Sequence, residues 1–243
     1  MKIVGIIPSR YGSSRFPGKP LALIKGKSMI EHVFLRASEC ERLTDIWIAT
    51  DDQRIKSRVE EFGGKVIITK REHPTGTDRV AEAARYLKLS SSDIVVNIQG
   101  DQPLFKGNVL NLLIDSMLND PSIQMSTLIY RIRDKREIDD RNCVKVVMDL
   151  NGFAIFFSRS PIPFYRDSEI ERIYYKHLGF YAYRMNFLQQ YTTLPRGRLE
   201  IAESLEQLRA IENGIKIKAV ESPFDSYEVD TPQDIEKIER LLS

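Results

Sequence analysis

The chain has 243 residues, 42% of them apolar and 29% charged, which suits one large globular domain and excludes a disordered chain. Lys and Arg number 36 against 34 Asp and Glu, a net charge of +2, so nucleic-acid binding through bulk charge is not expected. Two cysteines without a Cys-x-x-Cys or Cys/His pattern speak against a zinc site or disulfide framework and suit a reducing compartment. The apolar run from Ile3 to Ile7 is too short for a secretion signal, and no stretch approaches the roughly 20 apolar residues of a membrane span. A cytoplasmic protein without a membrane partner is expected.

From the N-terminus, residues 3–8 read as a fully buried strand, and 28–38 as a helix with Ile30, Val33, Phe34 and Ala37 at helical spacing. Residues 45–50 are a second apolar strand, and 52–62 a helix stopped by Gly63-Gly64. Residues 65–69 are a strand, and 77–89 a helix capped by Thr75 or Thr77. Residues 93–99 are a strand, and 108–118 a helix ending before Pro121. Strand and helix alternating at this spacing mean βαβ units and a parallel sheet. Strands with shorter connectors follow at 125–131, 144–149 and 153–158, and residues 153–191 hold more than half of the Phe and Tyr. A helix over 199–212, a strand over 215–220 and a helix over 232–242 restore α/β order. The expectation is one α/β domain carrying a β-rich, aromatic insertion from about 122 to 198.

The loop after the first strand is the strongest chemical signal. It runs from Pro8 to Pro20 and combines Arg10, Arg15 and Lys19 with Gly12, Ser13 and Ser14. Small residues let backbone N–H groups approach phosphate oxygens, and the cations neutralise them. It lies at a strand's carboxyl end, where open α/β sheets bind ligands. Neither the Walker A nor the Gly-x-Gly-x-x-Gly spacing is present. In the segment from Asn97 to Leu104, Asp101 follows a buried strand and is placed to hold Mg²⁺, although Gly100-Asp101 reads equally as a turn pair. Near the C-terminus, Thr231, Pro232 and Asp234 are explained by helix capping. Capping leaves Asp230 as a candidate second metal carboxylate.

The segment His73 to Arg79 could offer a helix N-terminus to a phosphate, or simply cap its helix. His177, Tyr181 and Tyr183 would share one face of a strand. Glu206 and Gln207 fall off the buried stripe of the 199–212 helix and read as solvated. Asp52 reads as an N-cap, and neither Cys40 nor Cys143 is marked as a nucleophile.

Together these segments resemble the 3-deoxy-manno-octulosonate (Kdo) cytidylyltransferases, also called CMP-Kdo synthetases. The matching stretches are IIPSRYGSSRFPGKPL, ATDD, HPTGTDR, NIQGDQPL, VKVVMD, FFSRSPIPF, HLGFYAYR, LEQLR and EVDTPQD, in order from residue 6 to residue 234. The resemblance implies a Rossmann-like, three-layer nucleotidyltransferase fold and a homodimer formed through the β-rich insertion. It implies the reaction CTP + Kdo → CMP-Kdo + diphosphate with Mg²⁺, feeding lipopolysaccharide synthesis. Its nucleotide loop maps onto Arg10, Ser13, Arg15 and Lys19, and its base and ribose contacts onto Pro8, Thr77, Arg79 and Gln99. Its metal carboxylates map onto Asp101 and Asp230. Its sugar contacts map onto Gln102, Arg159, His177, Tyr181, Glu206 and Gln207.

The chain departs from the common pattern at Gln102, where many members have Glu. It departs again at Glu228-Val229-Asp230 in place of Gly-Val-Asp, and at Pro195-Arg196-Gly197-Arg198-Leu199. Several of these features look like members that activate the 8-amino analogue of Kdo. Two rival readings remain at this stage: a synthetase for another sugar acid such as a sialic acid, and a CTP-binding module without turnover.

Overall fold

The computed structural model describes residues 1–12, 16–167 and 169–242. Strand β1 (Ile3–Ser9) is buried along nearly its whole length, with Val4 and Ile6 in one apolar cluster and Ile3 and Ile7 in another. Alternate residues of a strand point to opposite faces, so a strand apolar at every position must be covered on both sides. Helix α1 (Met29–Ala37), α2 (Gln53–Glu61) and α4 (Val109–Asn119) cover one face. Helix α3 (Gly76–Tyr86), α6 (Met185–Tyr191) and α8 (Leu208–Glu212) cover the other. The result is three layers, helix on sheet on helix.

The remaining strands are the short hairpin β2 (Leu23–Ile24) and β3 (Lys27–Ser28), then β4 (Asp45–Thr50), β5 (Lys65–Ile68), β6 (Ile94–Asn97) and β7 (Met125–Arg131), then β8 (Lys145–Met148), β9 (Ala154–Ser158), β10 (Tyr175–Arg184) and β11 (Lys218–Glu221). The main path of the sheet runs β11-β7-β10-β6-β1-β4-β5, and β10 alone on that path is antiparallel to its neighbours. The order turns back at β1, which pairs with β4 on one side and β6 on the other. That reversal opens a crevice beyond the carboxyl ends of β1 and β6, the place where doubly wound sheets bind ligands.

The stretch 122–198 divides between two places. Strands β7 and β10 lie within the main sheet, and the antiparallel pair β8–β9 branches from β10. A 4-residue helix, α5 (Arg136–Asp139), precedes β8.

The helix expected over 199–212 is broken. It is two short helices, α7 (Arg198–Glu203) and α8, separated by Ser204 in the left-handed region at φ 51°. The break turns residues 205–207 inward, and Gln207 is 4% exposed rather than solvated. The last helix, α9 (Pro232–Leu241), starts with the expected capping box of Thr231 and Asp234. Helix α3 is capped by Thr75 with Asp78, not by Thr77. Among the described residues, no helix is long and apolar enough to cross a membrane.

Candidate active site

The crevice at the sheet's reversal is a cavity of about 300 Å³. Its walls include Pro8, Arg10, Lys19, Arg79, Gln99, Asp101 and Asp230, seven of the residues picked out from the sequence. Ser13 and Arg15 lie outside the described residues. The first loop closes on itself through Gly18 N donating to Tyr11 O at 3.0 Å, and Lys19 then opens a 3-10 turn. Gly100 lets the β6 loop pass against β1, because a Cβ there would stand 2.6 Å from the Pro8 carbonyl oxygen.

Asp101 and Asp230 are far apart in sequence, and backbone pairing brings them together. Leu104 forms a β-bridge with Tyr227, and Val229 N donates to Asp101 O at 2.9 Å. Asp234 accepts from the backbone N–H groups of Asp230 and Thr231 and so holds the chain at Asp230. Lys19 Nζ then sits 2.9 Å from Asp101 Oδ2, 3.8 Å from Asp230 Oδ1, and donates to Val229 O at 2.8 Å. Two carboxylates therefore converge on a single cationic centre. Mg²⁺ is commonly held by one or two carboxylates together with phosphate oxygens and water, so this donor set fits it.

Arg79 projects from α3 and is buried, with Nη2 3.1 Å from Asp51 Oδ1 and Nη1 donating to Thr69 Oγ1. Burial pulls its guanidinium below the ordinary arginine value, against the opposing pull of Asp51. Asp52 is the N-cap of α2 as expected. His73 lines the cavity and pairs with the buried Glu82, whose carboxylate also accepts from Lys70 N. Together Arg79 and Glu82 pin residues 69–73 to α3.

A second cavity, of about 400 Å³, shares Asp230 with the first and is lined by Gln102, Lys176, His177 and Tyr227 among others. Its floor is an irregularity in β10. Between His177 and Tyr181 the register against β7 shifts, with Gly179 at φ 79°. This exposes two carbonyls: Gln99 Nε2 donates to Gly179 O at 2.7 Å and Gln102 Nε2 to Leu178 O at 2.8 Å. His177, Tyr181 and Tyr183 do share a face, with ring centroids 5.1 and 5.8 Å apart in succession. Burial lowers the His177 imidazole to about 3 and so keeps it neutral.

The other sugar candidates are dispersed. Thr77 is buried behind the first cavity, within hydrogen-bonding reach of Tyr183 and Glu206. Glu206 lines a third hollow that begins at Pro74 and Thr75, and burial pushes its carboxyl up to about 7. Arg159 lines neither of the first two cavities. Its guanidinium donates to the carbonyls of Glu203 at 2.7 Å and Arg141 at 2.9 Å. Three of the candidates carry a buried side-chain atom with no hydrogen-bond partner: Gln102 Oε1, Glu206 Oε1 and Gln207 Nε2.

Sequence reasoning missed Lys176 and Lys145. Lys176 is 8% exposed and bridges Glu137 at 2.6 Å and Asp225 at 2.8 Å, tying α5 to the 222–228 loop across the second cavity. Lys145 is fully buried and donates to the carbonyls of Asp140 and Cys143. Nothing in the sequence marks the carboxylates or carbonyls that meet them.

Known proteins resemble the chain in both sequence and fold. Residues 4–217 match the cytidylyltransferase family. A 3-deoxy-manno-octulosonate cytidylyltransferase of Desulfatibacillum aliphaticivorans is 52% identical over 242 residues, covering 100% of this chain and 99% of that protein. An 8-amino-3,8-dideoxy-manno-octulosonate cytidylyltransferase of Shewanella baltica is also 52% identical, with the same coverage. The structure of a CMP:2-keto-3-deoxy-manno-octonic acid synthetase complexed with CTP superposes with a TM-score of 0.94 at 43% identity, covering 100% of this chain and 98% of that one. A 4-diphosphocytidyl-2C-methyl-D-erythritol synthase, at 14% identity and a TM-score of 0.66 over 100% and 98% of the two chains, shares the fold.

Proposed function

Since the chain belongs to the cytidylyltransferase family and is a nucleotidyltransferase, we propose that its two adjoining cavities join CTP to a 3-deoxy-octulosonic acid, releasing diphosphate. The observation that carries the reading is the pair Asp101 and Asp230 converging on one cation beside a loop bearing Arg10 and Lys19. A passive binder of CTP has no need of two such carboxylates.

In this reading Arg10, Lys19 and the α3 N-terminus hold the triphosphate, and Pro8, Arg79 and Gln99 bound the base and ribose. Thr77 acts from behind by holding Tyr183 and Glu206. Ser13 and Arg15 complete the phosphate loop. Asp101 and Asp230 hold Mg²⁺, which when bound withdraws charge from the phosphates and favours ionisation of the attacking hydroxyl. Charge spreads over phosphoryl oxygens in the transition state, so the cations do most of their work there. The sugar lies across the second cavity toward Gln102 and His177, with Tyr181, Glu206 and Gln207 beyond it. Arg159 offers its remaining N–H groups to the sugar carboxylate.

Gln102 and the Glu228-Val229-Asp230 run favour the 8-amino sugar alongside Kdo. A homodimer is supported by apolar side chains exposed on the β-rich stretch, Ile155 at 56% and Phe164 at 89%. A cytoplasmic setting is supported by the free thiols of Cys40 and Cys143.

The test is diphosphate release with CTP and Mg²⁺ over a sugar panel: Kdo, its 8-amino analogue and a sialic acid. Turnover of either octulosonic acid at least about tenfold more efficient than of sialic acid, a difference of some 1.4 kcal/mol, supports the reading. A preference for sialic acid, or no turnover, contradicts it.

A further inference from the structure

His177 stands where β10 leaves regular pairing: it lies opposite Ile129, whereas Tyr181, four residues on, lies opposite Thr127. The irregularity brings the Phe180 carbonyl and the His177 ring to one side chain, Thr127, which is fully buried. Thr127 Oγ1 is 2.7 Å from Phe180 O and 2.9 Å from His177 Nε2.

A threonine hydroxyl has one proton to give. The Phe180 carbonyl can only accept, so that proton goes to it. Toward His177 the hydroxyl can then only accept, and Nε2 must carry hydrogen. The buried ring is neutral, its imidazole lowered to about 3, so Nδ1 bears a lone pair. His177 lines the cavity it shares with Gln102 and Asp230.

Gln102 gives the same polarity independently. Its amide nitrogen must be the atom that meets the Leu178 carbonyl at 2.8 Å, because only the nitrogen can donate. That leaves Oε1, buried and without a partner, as a second acceptor.

We propose that Thr127 is a positioning residue that fixes His177 in the Nε2–H form, so that Nδ1 joins Gln102 Oε1 in a wall of acceptors reading hydroxyl or amino hydrogens of the substrate. This wall cannot serve the substrate's carboxylate. The inference rests on reading the second cavity as the sugar side. The proton assignment itself can be tested without any sugar.

The experiment is ¹⁵N NMR of protein labelled at the histidine rings, with the His177 signals identified by loss in His177→Gln. A protonated Nε2 and a bare Nδ1 are expected in the wild type. In Thr127→Val, of nearly the same shape, that signature should be lost, and the sugar KM should rise about tenfold, the worth of one hydrogen bond. The CTP KM should stay within about twofold, and Thr127→Ser should restore both signature and sugar KM. A wild-type ring protonated at Nδ1 overturns the proposal, as does a valine variant with unchanged sugar KM. Absence of turnover with every sugar acid would sink the sugar reading alone, since the ring signals still decide the proton assignment.

Discussion

The cavity proposed for the nucleotide and the one proposed for the sugar adjoin at Asp230 and are built on opposite principles. In the first, two of the cations are already paired within the protein: Lys19 with Asp101 and Asp230, Arg79 with Asp51. In the second, a neutral polar atom, Gln102 Oε1, is buried without a partner, and Gln207 Nε2, which lines neither cavity, is another. A triphosphate and its metal bring charge of both signs and can exchange partners with existing ion pairs. A sugar brings hydroxyls, which satisfy orphaned donors and acceptors at little desolvation cost of their own. The nucleotide should therefore bind in a salt-sensitive way and the sugar much less so.

The contrast can be broken most forcefully at Asp101. Asp101→Asn removes one of the two proposed metal carboxylates, and turnover should fall by about 10²–10³-fold, the scale of losing one electrostatic stabiliser. Near-normal diphosphate release would show that the cleft's charge pairs are only structural. The next largest effect is expected at Lys176, the charged exception on the sugar side. Lys176→Met leaves Glu137 and Asp225 facing each other across the cavity. It should cost about 2–3 kcal/mol in urea unfolding, less than a fully buried pair because Glu137 is partly exposed. A loss under about 0.5 kcal/mol would make the bridge incidental.

Glu206 sharpens the comparison through pH. Its carboxyl is pushed up to about 7 by burial, from an ordinary 4.5. The folded protein thus holds this proton more tightly than the unfolded chain. That contribution to stability is fully present below about 4.5 and is lost as pH rises through about 7. Relative to Glu206→Gln, the wild type should lose on the order of 2 kcal/mol between about pH 5 and pH 8, after discounting for partial exposure. A pH-independent difference would mean the carboxyl is solvated.

Gln207→Leu should have the smallest effect on the free protein, because it deletes an amide donor that has no partner there. Stability should change by under about 1 kcal/mol while the sugar KM rises about tenfold and the CTP KM holds. Equal rises in both would erase the distinction between the cavities.

How much of this was readable in the sequence differs between the same two regions. The parallel half announced itself: strands over 45–50 and 125–131 fall where expected, and Arg10 and Lys19 stand out because cations and small residues follow a buried strand. The sugar side depends on departures from regularity. Ser204 breaks the helix at positive φ with neither glycine nor proline to signal it, and this break buries Gln207. The shift in β10 preserves the alternation of His177 and Tyr181, so the pattern shows a shared face but not the carbonyls it frees for Gln99 and Gln102. The meeting of Asp101 with Asp230 lies between these cases. Each residue was suspect, but only the bridge from Leu104 to Tyr227 makes them neighbours.

The central claim is that these two cavities perform one cytidylyl transfer. Phosphorus NMR of CTP, Mg²⁺ and Kdo or its 8-amino analogue with the enzyme tests it most directly. The prediction is a new phosphodiester signal from a CMP-sugar and free diphosphate, growing in equal amounts and absent without Mg²⁺. CTP that stays intact, or that is hydrolysed to CMP with no phosphodiester, would contradict it.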